Sequence, residues 1–356
     1  MQEPRPHLLE SAPFELIDAQ PVFASGTRDR RHFGGLHTVP SGKIILTFMY
    51  GTMPRSNDAA TMICHSHDHG VSWSEPRPLY AVPGWDCFPN GGVCQITPER
   101  IRLFIGQYRF APDLGGKQPF DSGWHTRYID STDEGAHWTE PSADLKIFPS
   151  WTEFYGSSNP HRLNDGRLMW AVQGTQDRDA DWRVGVTFSD AEGYTFSPPL
   201  IYAEDPYLQY SDGDIVRLPD GRFLTVLREH QDIGTYFCHS ADEGQTWTPL
   251  KPTGFVGANF RLHILKSGDV VCLYRDEDPE RYGTSIGLSS DGGETWTWAG
   301  SLYYQPHTDR HRPGYFCGCP DLAVAADGIL VTVLHTYDDD DGEMGLHVLR
   351  LRDVSS

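Results

Sequence analysis

Short apolar runs separated by polar turns recur along the whole chain, and six of them share one pattern. In each, two runs rich in β-branched and aromatic residues flank a polar turn that ends in or near glycine. These turns lie at Gly42, Arg100, Gly166, Gly221, Gly268 and Gly328. Paired runs around a tight turn predict β-hairpins. No long apolar run has the 3.6-residue period of a helix, so we expect an all-β fold.

A second repeat has the pattern Ser-x-Asp-x-Gly-x-x-Trp and is predicted to form a tight turn. The copies are Ser66–Trp73, Ser131–Trp138, Ser240–Trp247, Ser289–Trp296 and a degraded one, Ser189–Phe196. The Asp can accept backbone N–H bonds, the Gly can adopt positive φ, and the Trp can pack between units. In the degraded copy Ala191 replaces the Asp, so we expect that turn to keep its aromatic wedge and lose its carboxylate anchor.

Together the two repeats predict units of four strands. In the first five units the Asp-containing turn follows the hairpin turn by 19 to 31 residues, which leaves room for a third strand before it and a fourth after it. The sixth unit ends with LHVLRL as its third strand, so we expect the N-terminal FELIDAQPVF to supply the fourth and close a ring. Repeats at this spacing indicate a six-bladed β-propeller, one domain over residues 1–356 with a short tail over about residues 1–12.

The charge balance limits the classes of partner that the chain is expected to bind. There are 49 acidic and 29 basic residues, and the net charge is −20. A nucleic-acid partner would need a basic face, and an anionic membrane would not attract this chain, so neither is expected. The acidic run Asp338–Asp341 lacks the ligand spacing of a calcium loop, and the seven cysteines lack a zinc pattern, so we expect no metal and no cofactor. The N-terminus lacks a signal region, which favours the cytoplasm, or secretion or the periplasm if a signal peptide has been removed.

The Asp-containing turns, the six blades and the hairpin pattern together resemble the sialidase (neuraminidase) superfamily over essentially the whole chain. In that family these turns are called Asp-boxes and lie on the face opposite the active site. The resemblance implies an active site at the central mouth of the ring, built by the starts and ends of the inner strands. The Asp-box is specific for the fold and much less so for the activity.

Four catalytic features of the family have counterparts at matching positions. Sialidases bind the substrate carboxylate with three arginines and use an Asp acid/base and a Tyr nucleophile paired with a Glu. The position of the Glu holds Asp212, and the second and third arginines fall on Arg228 and Arg281. The acid/base position falls on Asp58, the only carboxylate in its loop.

Two features depart from the family pattern. The first triad arginine falls on His32, with Arg31 immediately before it, and the Tyr nucleophile falls on Cys319, with Tyr315 four residues upstream. The resemblance therefore implies a relative of the sialidases that does not cleave sialic acid by the usual Tyr route.

The residues themselves still favour glycan chemistry. Glycoside hydrolysis needs two carboxyl groups across the scissile bond, and the resemblance makes Asp58 and Asp212 the candidate pair. The candidate substrate-binding residues are Arg31, His32, Arg228, Arg275, Arg281 and Tyr315. We expect an exo-type glycoside hydrolase that acts on an oligosaccharide or glycoside end. A lyase on the same fold and a non-catalytic glycan- or protein-binding propeller remain open.

Structural alternatives compete with each of these assignments. Further carboxylates at the predicted strand entrances are Asp214, Glu153 and Asp321. An inner-strand Asp of a propeller can instead bond a neighbouring blade, and Asp58 can instead cap its own turn.

Overall fold

The computed structural model describes most of the chain. The described ranges are 6–10, 12–22, 30–52, 57–110, 120–145, 147, 153–156, 159–175, 182–205, 207–229, 234–304, 318–337 and 344–355. For residues 30–33, 110, 120–123, 153, 154, 337 and 344 only the backbone is described.

The described residues contain 25 β-strands. In chain order these are β1 (His7–Leu8), β2 (Phe14–Pro21), β3 (Arg30–Thr38), β4 (Ile44–Gly51), β5 (Ala60–Ser66), β6 (Arg77–Tyr80), β7 (Asp86–Thr97), β8 (Arg100–Phe110), β9 (Phe120–Ser131), β10 (Glu153–Gly156), β11 (His161–Arg162), β12 (Leu168–Thr175), β13 (Arg183–Ser189), β14 (Leu200–Ala203), β15 (Tyr210–Arg217), β16 (Phe223–Glu229), β17 (Thr235–Ser240), β18 (Lys251–Pro252), β19 (Gly257–Ile264), β20 (Val270–Asp276), β21 (Gly283–Ser289), β22 (Thr297–Tyr304), β23 (Asp321–Val324), β24 (Ile329–Tyr337) and β25 (Met344–Asp353).

These strands form the six antiparallel sheets of a six-bladed β-propeller, as predicted. Blade one is β3 to β6, blade two β7 to β9, blade three β10 to β14, blade four β15 to β18, blade five β19 to β22, and blade six β23 to β25 with β2. In blade two, Thr139, Ser142 and Leu145 donate backbone hydrogen bonds to carbonyls of β9, so this segment takes the place of the fourth strand. In the described residues no helix is long and apolar enough to cross a membrane.

The N-terminal segment supplies an outer strand to each of two neighbouring blades, blade six and blade five. Strand β2 pairs antiparallel with β25, from Phe14 opposite Asp353 to Pro21 opposite His347, which confirms the predicted closure of the ring. The preceding strand β1 pairs with β22 at the outer edge of blade five. Part of the predicted tail therefore belongs to a sheet.

An apolar cluster fills the gap between each pair of neighbouring blades. Leu273 and Leu349 belong to the cluster between blades five and six, and Ile45 and Leu103 to the one between blades one and two. The corresponding clusters of the other four blade pairs complete the ring. Each repeat aromatic, Trp73, Trp138, Phe196, Trp247 and Trp296, packs against one of these clusters. The predicted role of this residue as a wedge is confirmed.

The Asp-box turns have the predicted bonds. In the first, Asp68 accepts the backbone N–H of Ser72 at 2.9 Å, and the Ser66 hydroxyl accepts the N–H of Gly70 at 2.8 Å. The expectation that the degraded turn lacks an anchor is wrong. Asp190, one residue before Ala191, accepts the N–H groups of Glu192, Tyr194 and Thr195 within 3.1 Å. The Asp190 side chain thus reaches the Thr195 N–H, which is the counterpart of the Ser72 N–H in the first Asp-box.

Candidate functional site

Four inner strands break their register at the same place. This place lies towards the mouth of the ring, the end opposite the Asp-box turns. The shifts lie between His32 and Gly35 in β3, between Pro89 and Val93 in β7, between Ser211 and Asp214 in β15, and between Ala258 and Arg261 in β19. A bulge bends its strand and redirects a side chain, and such bulges are frequent beside active sites.

Asp212 lies in the bulge of blade four and is held in a left-handed backbone conformation. Its φ is 56°, and Asn259 in the bulge of blade five has a φ of 53°. Residues other than glycine rarely adopt such values without a compensating contact. For Asp212 the compensation includes Gln173 of blade three, whose side-chain oxygen accepts the Asp212 N–H and whose Nε2 donates to Asp212 Oδ1 at 3.3 Å.

Asp212 and Arg228 form an ion pair across the first hairpin of blade four. Arg228 Nε lies 2.8 Å from Asp212 Oδ2, and the two side chains are 13% and 17% exposed. The same Nε also donates to the Ser211 hydroxyl at 3.1 Å. This bulge therefore presents a partly exposed carboxylate at the mouth, held by a guanidinium and an amide.

Arg275 occupies the same place in blade five and belongs to a second buried pair. Its Nε donates to Glu277 Oε1 at 2.6 Å, and both side chains are less than a tenth exposed. Its Nη1 lies 4.0 Å from Cys319 Sγ. Burial raises the pKa of the Cys319 thiol to about 11, against the opposing effect of Arg275. The thiol is therefore protonated at neutral pH, and Asp212 acts electrostatically on both Arg275 and Cys319.

Asp58 lies at the mouth end of blade one, in the loop between β4 and β5. It is exposed, and it accepts hydrogen bonds from the Thr52 N–H, at 3.2 Å, and the Thr52 hydroxyl. Its own N–H and that of Ala59 donate to Asp86 Oδ1, both at 3.1 Å. Asp86 is fully buried at the start of β7. Blade two thus fixes the backbone that carries Asp58.

Arg281 lies in the loop between β20 and β21 and pairs with acidic residues of its own blade. Its Nε is 3.2 Å from Asp276 Oδ2 and its Nη2 2.8 Å from Asp278 Oδ2. Its guanidinium also lies 5.6 Å from the ring of Trp298 in the outer strand β22. No described contact joins Arg281 to Asp212, Arg228 or Arg275.

Three predicted substrate-binding residues have no described side chain. Arg31 and His32 lie on β3 opposite Tyr50 and Met49, and only their backbone is described. Tyr315 lies outside the described residues. Their assignments remain predictions.

Asp214 and Asp321 join blades in the layer below the bulges. Arg261 Nε donates to Asp321 Oδ1 at 2.6 Å, and its Nη1 lies 3.6 Å from Asp214 Oδ1. Asp214 also accepts the N–H of Leu262 in blade five, and Asp321 that of Leu36 in blade one, each at 2.7 Å. Burial raises the pKa of Asp214 to about 6, although Arg261 opposes the shift. These bonds favour the structural alternative for both carboxylates.

Aromatic side chains line up at the mouth ends of blades two and three. The ring of Trp124 stacks on Tyr108 at 5.0 Å and meets Tyr155 edge-on at 4.1 Å. Tyr155 in turn stacks on Trp182 with an angle of 9° between the rings. Such a group offers apolar faces beside polar ones, as sugar-binding sites require.

Sequence reasoning missed Gln173 and Glu277. Gln173, Arg228, Arg275 and His335 each follow a hairpin glycine by seven residues, so the repeat itself places them at one level of the second strands. Applying that spacing to every blade would have found Gln173. Glu277 had no such signal, because its importance comes from contact with Arg275. In the described part of the chain, no three His, Cys, Asp or Glu residues are grouped as metal ligands.

Comparison with known proteins defines the class as a propeller of BNR (Asp-box) repeats. A family model described as "BNR repeat-like domain" matches residues 90–332. The chain belongs to this family. No protein with a curated description matches the sequence.

Solved structures share the fold at low sequence identity. A protein of unknown function from Dyadobacter fermentans superposes with a TM-score of 0.79 at 18% identity, over 96% of this chain and 99% of that one. A Hadza microbial sialidase gives 0.71 at 17% identity, over 94% and 68%. The intramolecular trans-sialidase from Ruminococcus gnavus gives 0.67 at 13% identity, over 93% and 96%. These matches confirm the predicted propeller fold.

Proposed function

We infer that this propeller acts on glycans, as an exo-type glycoside hydrolase that cleaves at the end of an oligosaccharide. The observation that carries this inference is the Asp212–Arg228 pair, presented by a bulge at the mouth of the ring. Structures that share the fold include sialidases, which supports a glycan ligand without identifying the sugar.

Asp58 and Asp212 have different surroundings, which suits different roles in hydrolysis. Asp212 is paired with a guanidinium and fits a charged partner that activates water or holds the sugar. Asp58 is exposed on the opposite side of the ring, bonded to Thr52, and fits the group that protonates the leaving oxygen. Cys319 is protonated at neutral pH and lacks the nucleophilicity of a thiolate. Water is therefore the nucleophile that this arrangement favours, and inversion of the anomeric centre is the expected outcome.

A binding protein without catalysis is the second candidate. Arg228 and Gln173 both engage the Asp212 carboxylate, which is also what a fixed ligand-binding group would require. The two candidates differ in whether the same site turns over the sugar that it binds.

A substrate screen tests the hydrolase. Chromogenic glycosides and natural oligosaccharides are incubated with the wild type and with Asp212→Asn, and products are followed by NMR. We expect release of a terminal sugar by the wild type and a loss of at least about 100-fold in the variant. Binding without any turnover would favour the second candidate, and an unsaturated product would indicate a lyase.

A further inference from the structure

The interface between blades one and two changes from apolar to polar towards the mouth of the ring. On β8, Leu103 and Ile105 alternate into the apolar cluster between these blades. The next residue on this face is Gln107, which is buried and accepts the Tyr80 hydroxyl of blade one at 3.0 Å. His125 lies directly opposite Gln107 in β9, so its side chain is on the same face. Hydrogen-bonding groups therefore replace apolar ones at the mouth end of this interface.

The ring of His125 is held in one orientation by blade two. Its Nδ1 lies 2.8 Å from Asp144 Oδ2, and Asp144 Oδ1 accepts the Thr126 N–H at 3.0 Å. A carboxylate only accepts, so Nδ1 carries a proton and Nε2 of the neutral ring is an acceptor. The His125 side chain is 29% exposed, and no described residue forms a hydrogen bond with its Nε2. His125 thus presents a fixed hydrogen-bonding atom to a ligand.

Trp85 lies beside His125, in the loop that leads into β7. The two ring centroids are 5.5 Å apart with an angle of 65° between the rings, and the Arg109 guanidinium lies 5.4 Å from the centre of the indole ring. Trp124 and Tyr108 stack their faces on each other, whereas Trp85 meets His125 edge-on. A partly exposed indole beside hydrogen-bonding groups suits a sugar, which has an apolar face and a polar rim.

The segment that carries Trp85 also holds the candidate acid Asp58. Asp86 follows Trp85 and accepts the Asp58 N–H at 3.1 Å, and Cys87 donates its N–H to the Ala59 carbonyl at 2.9 Å. The acid of a glycoside hydrolase protonates the oxygen of the leaving group, so the leaving sugar lies on the same side of the scissile bond as the acid. The leaving sugar is therefore expected on the side of the ring that carries Trp85.

We propose that Trp85, Gln107 and His125 form a site, called the seam site, that binds the sugar unit on the leaving side of the cleaved bond. Trp85 packs on the apolar face of this sugar, and His125 Nε2 and the Gln107 amide form hydrogen bonds with its hydroxyl groups. Asp144 is a positioning residue, because it orients the imidazole and does not touch the sugar. The proposal rests on the inferred glycan function and assigns to the seam site a preference for oligosaccharides over glycosides with a small leaving group.

The first arm of the test compares two substrates that share a terminal sugar. One is the best oligosaccharide from the screen, and the other is the glycosyl fluoride of its terminal sugar, which has no leaving sugar. Trp85→Ala and His125→Ala should each raise the KM of the oligosaccharide at least about tenfold and leave kcat/KM of the fluoride within about twofold of the wild type. The control is His137→Ala, whose ring Nδ1 lies 2.7 Å from Asp133 in an Asp-box turn, and it should match the wild type on both substrates.

The size of the loss on each substrate decides the outcome. Equal losses on the oligosaccharide and the fluoride would show that the two side chains only support the fold or the catalytic centre. No loss on either substrate would show that the leaving sugar does not touch them. Either result would overturn the proposal.

The second arm uses the wild type and does not depend on turnover. The indole N–H signal of Trp85 and the ring C–H signal of His125, assigned with Trp85→Phe and His125→Gln, are followed by NMR. The titrant is the oligosaccharide from the screen or, if the screen gives none, cellobiose, lactose and maltose. We expect both signals to shift together and saturably, and the terminal monosaccharide alone to leave them unchanged.

This arm separates the seam site from the hydrolase. Saturable shifts without turnover would support the seam site and contradict hydrolysis. Turnover of the oligosaccharide with both signals unchanged would contradict the seam site and leave the hydrolase standing. Signals that no titrant shifts would overturn the proposal as well.

Discussion

Glu243 of blade four accepts two hydrogen bonds from Asn164 of blade three, one from its backbone N–H and one from its side-chain amide, each 2.8 Å long. Glu243 is the fourth residue of its Asp-box and has a φ of 60°. Glu134, at the same box position, accepts the N–H of Ser41 in blade one at 3.0 Å. The Asp-box therefore does more than close its own turn, because its fourth residue bonds the hairpin turn of the preceding blade.

Glu243→Ala is expected to destabilise the propeller. The substitution removes both bonds to Asn164 and the ion pair with Arg217 at 2.9 Å, on a surface where solvent weakens the charges. We expect the free energy of unfolding to fall by about 1–2 kcal/mol in urea titrations. Glu140→Ala, at an exposed position, is the control and should change it by less than about 0.5 kcal/mol. Equal stability of the two variants would show that the contact contributes nothing.

Asp353 replaces the missing sixth Asp-box. Leu351 pairs with Leu330 as the box serines pair in other blades, so Asp353 stands where the box Asp would be. It accepts the backbone N–H of Lys266 in blade five at 2.8 Å and that of Ser355 at 2.9 Å. Asp353→Ala should lower the free energy of unfolding by about 1–3 kcal/mol. A loss no larger than that of the exposed control Glu75→Ala would contradict this role.

The lowered pKa of His161 predicts that the free energy of unfolding falls in mild acid. Burial lowers its pKa to about 4, aided by Arg217, although its bond to the Ile215 carbonyl at 2.8 Å opposes the shift. The unfolded chain takes up this proton below about pH 6.5, whereas the folded chain does so only near pH 4. The free energy of unfolding should therefore fall as the pH drops from 6.5 to 4, by up to about 3 kcal/mol from this residue. Urea titrations of His161→Gln should show a shallower dependence, and identical pH profiles would exclude this origin.

The identity of Cys319 predicts little activity on sialosides. Its raised pKa keeps the thiol protonated, and a thiol does not replace the aromatic hydroxyl that sialidases use as nucleophile. A fluorogenic sialoside should give turnover at or near the uncatalysed rate. Turnover comparable to that of an authentic sialidase would contradict the prediction and point to Tyr315.

The sequence predicted the features that depend on local chemistry. The hairpins, the Asp-box turns and the closure by Phe14–Pro21 follow from turn residues and from the space left in each unit. The bulge at Asp212 and the pairing of Arg275 with Glu277 depend on register and on side-chain contacts, which turn chemistry does not specify. Asp190 shows the same limit, because a neighbouring carboxylate replaced an anchor that the repeat pattern marked as absent.

We propose that Asp212 and Arg228 form a glycan site and not a structural pair. The most direct test of this claim measures, for Arg228→Ala and the control Arg222→Ala, both affinity for the best oligosaccharide from the screen and the free energy of unfolding. Arg222 lies at the opposite end of the same hairpin, where it pairs with Asp220. We predict that Arg228→Ala weakens oligosaccharide binding at least about 30-fold and changes the free energy of unfolding by no more than about 1 kcal/mol. Arg222→Ala should bind the oligosaccharide as tightly as the wild type does. Retained binding with a large loss of stability in Arg228→Ala would contradict the claim.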